Sequence, residues 1–171
     1  MRQGNKPPSP EPWLRGTLTD VPAVPRAVLH ALELAGKDLH KWCRGLTDIQ
    51  LNARPAGIAP VAFHLRHIAR SLDRLLTHAE GAALTESQIA AINTEMESGA
   101  TSQELFAELD ASLGRSAVRV RELAAGDLAA VRTVGKRQLP TTLGGLLVHV
   151  ADHTQRHVGQ AITTAKLVAA R

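Results

Sequence analysis

Three histidines recur at strict intervals of four in the stretch His149-Val-Ala-Asp-His153-Thr-Gln-Arg-His157-Val-Gly-Gln160. Four residues is about one helical turn, so on a helix the three imidazoles rise along one face. Neutral imidazole is a favoured ligand of divalent transition metals, and two of them at i and i+4 can grip one ion. A second group, His64-Leu-Arg-His67, lies far earlier in the chain. One imidazole from there would complete a three-nitrogen set that leaves a coordination position open for water or substrate, as catalytic zinc sites do. A histidine pair alone is a weak signal, because buried and exposed structural histidines fall at the same spacing. Carboxylate-based alternatives fail: there is no Glu-x-x-His of the di-iron bundles and no His-Glu-x-x-His of the metalloproteases.

A helical wheel at about 100° per residue sorts these histidines. With His153 at zero, His157 lies towards the apolar stripe of Leu146, Leu147, Val150, Val158, Ala161 and Ala165, and His149 lies further out. The pair 153/157 is thus the better placed to reach between helices. Around the earlier group the stripe of Val61, Leu65, Ile68, Leu72, Leu75 and Leu76 lies nearer to His64 than to His67, so periodicity selects His64 as the inward ligand. Gln160 lies close to the His153 direction, where it could line a cavity or orient His157. Gly159 is on the opposite side, where it suggests close packing. His30 and His40 lie among polar neighbours, and His78 falls at a helix C-terminus, which favours a partly protonated imidazole. These three have ordinary structural explanations.

The elements that must hold these groups are helical. Thr19 and Asp20 offer caps and Pro22 suits a first turn for a helix of about 25 residues, with the stripe Val24, Val28, Ala31, Ala35, Leu39, Trp42, Leu46. Thr47-Asp-Ile-Gln50 is a capping box for a short turn, closed by Asn52-Ala-Arg-Pro-Ala-Gly57. A second long helix runs from Pro60 to about Glu80. Thr85-Glu-Ser-Gln88 opens a short helix, and Thr101-Ser-Gln-Glu104 opens a third long one with Leu105, Leu109, Leu113, Val120 and Leu123 inward. Residues 131–140, with Gly135 between extended pieces, read as a loop or small hairpin. Thr142 caps a fourth long helix that carries the histidine ladder to about Val168. Four long helices with one apolar stripe each predict an all-α four-helix bundle, and the long connections leave room for crossovers.

Composition agrees with that and removes several function classes. The 171 residues suffice for one domain, and apolar residues at 44% with aromatics at 2% and no tyrosine require a core of Leu, Ala, Val and Ile. The four prolines of residues 1–19 predict an extended N-terminal arm, packing through Trp13 and Leu14, ahead of a domain over 20–171. The net charge is +4, and fifteen arginines are scattered without a basic cluster, which argues against a nucleic-acid face. Cys43 stands alone, so no intrachain disulfide forms, and no sequence neighbour marks it as an activated thiolate. The stretch MRQGNKPPSPEPW lacks the apolar centre of a signal peptide, and no run reaches membrane-span length. A soluble cytoplasmic protein that meets small molecules, not membranes, is expected. A homodimer is compatible with long bundle helices.

The stretch Val-Ala-Phe-His-Leu-Arg-His-Ile-Ala-Arg-Ser-Leu-Asp-Arg-Leu over 61–75 resembles the second-helix signature of the DinB/YfiT-like family. Leu-Leu-Val-His-Val-Ala-Asp-His-Thr-Gln-Arg-His-Val-Gly-Gln over 146–160 resembles its fourth-helix signature, with His-x-x-x-His-x-Gly-Gln the most specific element. The resemblance spans about residues 20 to 168. It implies a four-helix bundle in up-down-down-up order and a divalent metal held by His67, His153 and His157. The family thus prefers His67 where the wheel prefers His64, which then becomes the reserve ligand, an outer partner of the site or a proton-transfer residue. Zinc or nickel suits three imidazoles. Relatives include thiol-S-transferases that use bacillithiol or mycothiol and a mycothiol-dependent maleylpyruvate isomerase; others are described as metal-dependent hydrolases. The resemblance implies an enzyme that transfers a low-molecular-weight thiol to a small electrophile. A hydrolase and a non-catalytic, metal-stabilised binding or sensing module are the alternatives. Arg66, Arg70 and Arg156 could bind an anionic thiol or a substrate carboxylate, or be plain surface arginines.

Overall fold

The computed structural model describes residues 9–170. After a 3-10 turn at Pro12–Leu14 come α1 (Ala23–Cys43), α2 (Asp48–Asn52), a 3-10 turn at Pro55–Gly57, α3 (Val61–Ala79), α4 (Glu86–Ile92) and α5 (Ser102–Leu123). A hairpin of β1 (Val131–Val134) and β2 (Leu139–Thr142) then leads into α6 (Leu143–Ala169). The protein is all-α apart from that hairpin, whose antiparallel register pairs Val131 with Thr142 and Val134 with Leu139. None of the described helices is long and apolar enough to cross a membrane.

Local chemistry sets most of the boundaries. At Thr47, Thr85 and Thr101 the hydroxyl accepts from the backbone N–H three residues on, and the Gln or Glu there accepts from the cap's own N–H. Each box satisfies two of the donors a helix start leaves unpaired. Thr142 caps α6 by accepting from Gly145 N–H. At α1 the expected side-chain caps are not used: Pro22 is the N-cap, and Thr19 and Asp20 lie in the preceding turn. Pro fixes the extended entry without a donor to satisfy.

Two further expectations are corrected. The buried face of α1 is Val28, Leu29, Leu32, Ala35, Leu39 and Cys43, whereas Trp42 is exposed and lies under the ammonium groups of Lys41 and Lys166. An indole covered by cations keeps contact without needing the core. In the arm, Trp13 and Leu14 point outwards; Pro12 is buried instead, and Arg15 ties the segment to Glu33 at 2.6 Å. Residues 1–8 of that arm fall outside the described residues.

The four long helices share one core. α1 lies against α5 and α6, and α3 lies against the same two. Along α1 and α5, Gly36 meets Leu113 while His40 meets Asp110 and Phe106, so these helices run in opposite senses. Gln155 bonds to the Ala31 carbonyl and Lys166 covers Trp42, so α1 and α6 run the same way. Ser112 donates to the Ala69 carbonyl and Arg119 reaches Asp73 and Glu80, which sets α3 along α5. His64 faces His157 and His67 faces His153, so α3 opposes α6. Leu39, Leu65, Ile68, Leu72, Leu76, Phe106, Leu109 and Leu147 fill the shared interior. Arg132 from the hairpin donates to the Ala79 carbonyl at the end of α3 at 2.7 Å, a cation at a helix C-terminus.

Candidate metal centre

Where α3 and α6 face each other, His67, His153 and His157 bring one ring nitrogen each within 4.8 Å of the others. All three are half-buried. The Nε2 atoms of His67 and His153 lie 3.2 Å apart. The His157 ring centroid lies 4.3 Å from that of His67 and 4.7 Å from that of His153.

The protons on the far sides of the rings are assigned by their partners. Glu95 is almost fully buried, and it accepts from His67 Nδ1 at 2.6 Å on one oxygen and from Arg74 at 2.8 Å on the other. Burial raises the Glu95 carboxyl, but the bonds from His67 and Arg74 outweigh it and hold the pKa below the ordinary glutamate value. An ionised carboxylate only accepts, so His67 carries its hydrogen on Nδ1 and, when uncharged, has its lone pair on Nε2. On His153 the Nδ1 side faces Ser71 Oγ in a long 3.5 Å contact, while that hydroxyl donates to the Ile68 carbonyl. With Nδ1–H directed at Ser71, the His153 lone pair also falls on Nε2.

Two nitrogen lone pairs then face each other, which is repulsive unless a cation lies between them. The spacing suits one: ligand nitrogens about 2.0–2.1 Å from a tetrahedral zinc lie roughly 3.3–3.4 Å apart. Ionisation favours the same form. Burial first, and then the neighbouring imidazoles, lowers His153 to about 4; burial followed by His67 and Arg156 lowers His157 to about 4. Both rings are therefore neutral at pH 7, as a ligand must be. The donor set fits a divalent transition metal.

His64 is the most buried histidine of the group, with its pKa lowered to about 4 by burial and then by His157 and His67. Its Nδ1 lies 3.1 Å from His157 Nδ1. His64 thus points inward, as its wheel position predicts. The geometric cluster nonetheless takes His67, because burial and reach are different properties. His64 sinks into the α3–α6 seam beside Phe63, whereas His67 stands at the seam's edge with a nitrogen towards the other two rings. Phe63 stacks on His67 at 5.2 Å between centroids and so fixes its plane.

Other candidates separate from the cluster. His149 sits on the exposed side of α6, its ring 5.4 Å from His153 and its Nδ1 3.8 Å from Asp152. Arg66 donates to the Glu97 carbonyl, Arg70 binds Glu108, Thr94 and the Ala91 carbonyl, and Arg156 pairs with Asp152. All three arginines are engaged in contacts of their own. Gln160 lines a cavity with Phe63 and His64. Gly159 does not mark close packing: it is exposed, and a Cβ there would meet nothing within 4 Å. His30 is buried against Thr17, and His40 bonds Asp110. His78 has its pKa lowered by burial, which overrides the pull of the helix terminus towards protonation. Cys43 is fully buried and its thiol is pushed up to about 12, which makes it inert.

Sequence reasoning missed Glu95 and Arg74. Glu95 follows α4 in the connection between α3 and α5, 28 residues from His67, in a stretch whose spacing carries no ligand signature.

The profile of the DinB superfamily matches residues 31–161, from the middle of α1 to Ala161 on α6 and across every residue of the cluster. No curated protein and no solved structure matches the chain significantly. The all-helical scaffold, the histidines on α3 and α6 and the extent of that match lead to one assignment: the chain belongs to the DinB superfamily.

Proposed function

We propose that this protein is a metal-dependent enzyme that transfers a low-molecular-weight thiol to a small electrophile. His67, His153 and His157 hold one divalent ion, zinc or nickel. The observation that carries the reading is the convergence of three imidazole nitrogens within 4.8 Å, with the backs of the His67 and His153 rings held by Glu95 and Ser71. We read the scaffold as a four-helix bundle in up-down-down-up order over residues 20–171, preceded by the arm of 1–19. The pairwise senses of α1, α3, α5 and α6 support that order.

A bound divalent ion would supply positive charge that lowers the pKa of a thiol, so that thiolate is available at neutral pH. The chain's own groups prepare for it. Glu95 keeps the His67 hydrogen on Nδ1, and Arg74 keeps Glu95 ionised and in place. His64 accepts from His157 Nδ1–H, which leaves the His157 lone pair on Nε2; it acts as a positioning residue in this reading. Phe63 covers one side of His67 and limits water there. The open side of the cluster is left for thiol and electrophile, a small-molecule partner in a cytoplasmic setting.

The test is transfer itself. Protein loaded with zinc or nickel is mixed with a thiol and 1-chloro-2,4-dinitrobenzene, and thioether formation is followed by absorbance. Catalysis that His153→Ala abolishes supports the reading. Metal-loaded protein that accelerates no thiol in a panel overturns it.

A further inference from the structure

Beside the histidine cluster lies a cavity of about 390 Å³ lined by Ile58, Ala59, Phe63, His64, Gln160 and Thr164. One side is formed by Ile58 and Ala59 ahead of α3 and by Phe63 and His64 on its first turn, the other by Gln160 and Thr164 on α6. Two of its walls belong to both spaces. Phe63 stacks on His67, and His64 touches His157 with Nδ1. A molecule resting there would have one end beside the cluster.

The lining contains no aspartate, glutamate, lysine or arginine. Thr164 donates to the Ala59 carbonyl, so its hydroxyl hydrogen is already used. What remains is the Gln160 amide and the uncharged His64 imidazole, whose Nδ1 is already against His157, among aliphatic and aromatic surface. The arginines nearest in sequence to the cluster do not supply a counter-charge, because Arg66, Arg70 and Arg156 bind a carbonyl or carboxylates of the chain itself. The volume falls within the ordinary range of small-molecule sites, about 300–1,000 Å³. A charged ligand group placed against such a lining would lose water without gaining a partner.

We propose that this cavity is the specificity pocket of the site and receives an uncharged, apolar small molecule, not a carboxylate or a phosphate. The inference rests on the reading of the histidine cluster as the reacting centre. The electrophile's apolar body lies between Ile58 and Phe63, with its reactive atom towards His157. Gln160 offers one hydrogen-bond partner to a carbonyl or an ether at the mouth.

Two fluorescent probes that share one aromatic skeleton test this. N-phenyl-1-naphthylamine is uncharged, and 8-anilinonaphthalene-1-sulfonate carries a sulfonate. Both are titrated into the full-length, zinc-loaded protein, and metal content is measured on the same samples. The uncharged probe is expected to saturate at a Kd about tenfold or more below that of the sulfonate. Ile58→Lys, at a residue 41% exposed and outside the cluster, is expected to weaken the uncharged probe and strengthen the sulfonate. Ala59→Leu, which fills the cavity, is expected to weaken both. Equal affinities, a preference for the sulfonate, or uncharged-probe binding untouched by either substitution would overturn the proposal. A protein that holds zinc but shows no preference refutes the pocket alone. A protein that keeps the preference but holds no metal supports the pocket and refutes the thiol-transfer reading.

Discussion

Replacing Glu95 by glutamine changes one atom and should loosen the metal without unfolding the protein. In the native chain one Glu95 oxygen accepts from His67 Nδ1 at 2.6 Å and the other from Arg74 at 2.8 Å. Glutamine has one acceptor and one NH2 group. Arg74 can only donate, so the amide oxygen turns to it and the NH2 turns to His67. His67 must then accept on Nδ1 and carry its hydrogen on Nε2, the nitrogen that faces His153 at 3.2 Å. Binding an ion now requires that the tautomer be reversed against a mismatched partner. Losing such an outer carboxylate typically costs 10- to 100-fold in metal affinity, about 1.4–2.7 kcal/mol. Competition against a chromogenic chelator at pH 7.5 measures it, with circular dichroism to show an intact helical fold. An affinity within twofold of the native value, in a folded variant, would refute the assignment of the His67 tautomer and with it the role of Glu95.

Three other outcomes follow from particular contacts. His64, His153 and His157 each titrate near 4 when folded, against about 6.5 for a free imidazole, so the unfolded chain binds more protons between those values. Stability of the metal-free protein should therefore be full above about pH 6.5 and fall as pH drops towards 4; urea titrations at pH 7.5 and 5 that gave the same stability would contradict this. Thr101→Ala removes the hydroxyl that accepts from Glu104 N–H and should cost about 0.5–2 kcal/mol by denaturant unfolding. Cys43, fully buried with its thiol raised to about 12, should stay unreactive to a disulfide reagent in the native state and react once urea unfolds the chain; fast native labelling would contradict its placement.

The sequence carried the elements further than the site. Three capping boxes and the Thr142 cap are local chemistry, complete within four residues, and each marks a helix start in the structure. Periodicity also separated the inward and outward sides of α6, with His149 exposed and His157 in the seam. It misjudged Trp42, because a wheel counts an indole as apolar and cannot see lysines from two helices arriving over it. It favours His64 over His67 because it ranks depth, and the deepest imidazole does lie in the seam with its Nδ1 against His157. The resemblance names His67, and the structure brings a His67 nitrogen within 4.8 Å of His153 and His157. Glu95 was invisible to both, since its contact with His67 exists only once the connection through α4 folds back over α3. Ser112 and Ser116 also lie in the buried face of α5, which an apolar stripe cannot indicate, and Ser112 is satisfied there by the Ala69 carbonyl.

The most direct measurement is metal content by mass spectrometry on untagged protein, beside His67→Ala, His64→Ala and His153→Ala variants. The account predicts close to one zinc or nickel per chain, lost in His67→Ala and His153→Ala and retained, more weakly held, in His64→Ala. A folded protein that carries no transition metal and takes none up on titration would contradict it. So would a metal that survives His67→Ala and leaves with His64→Ala.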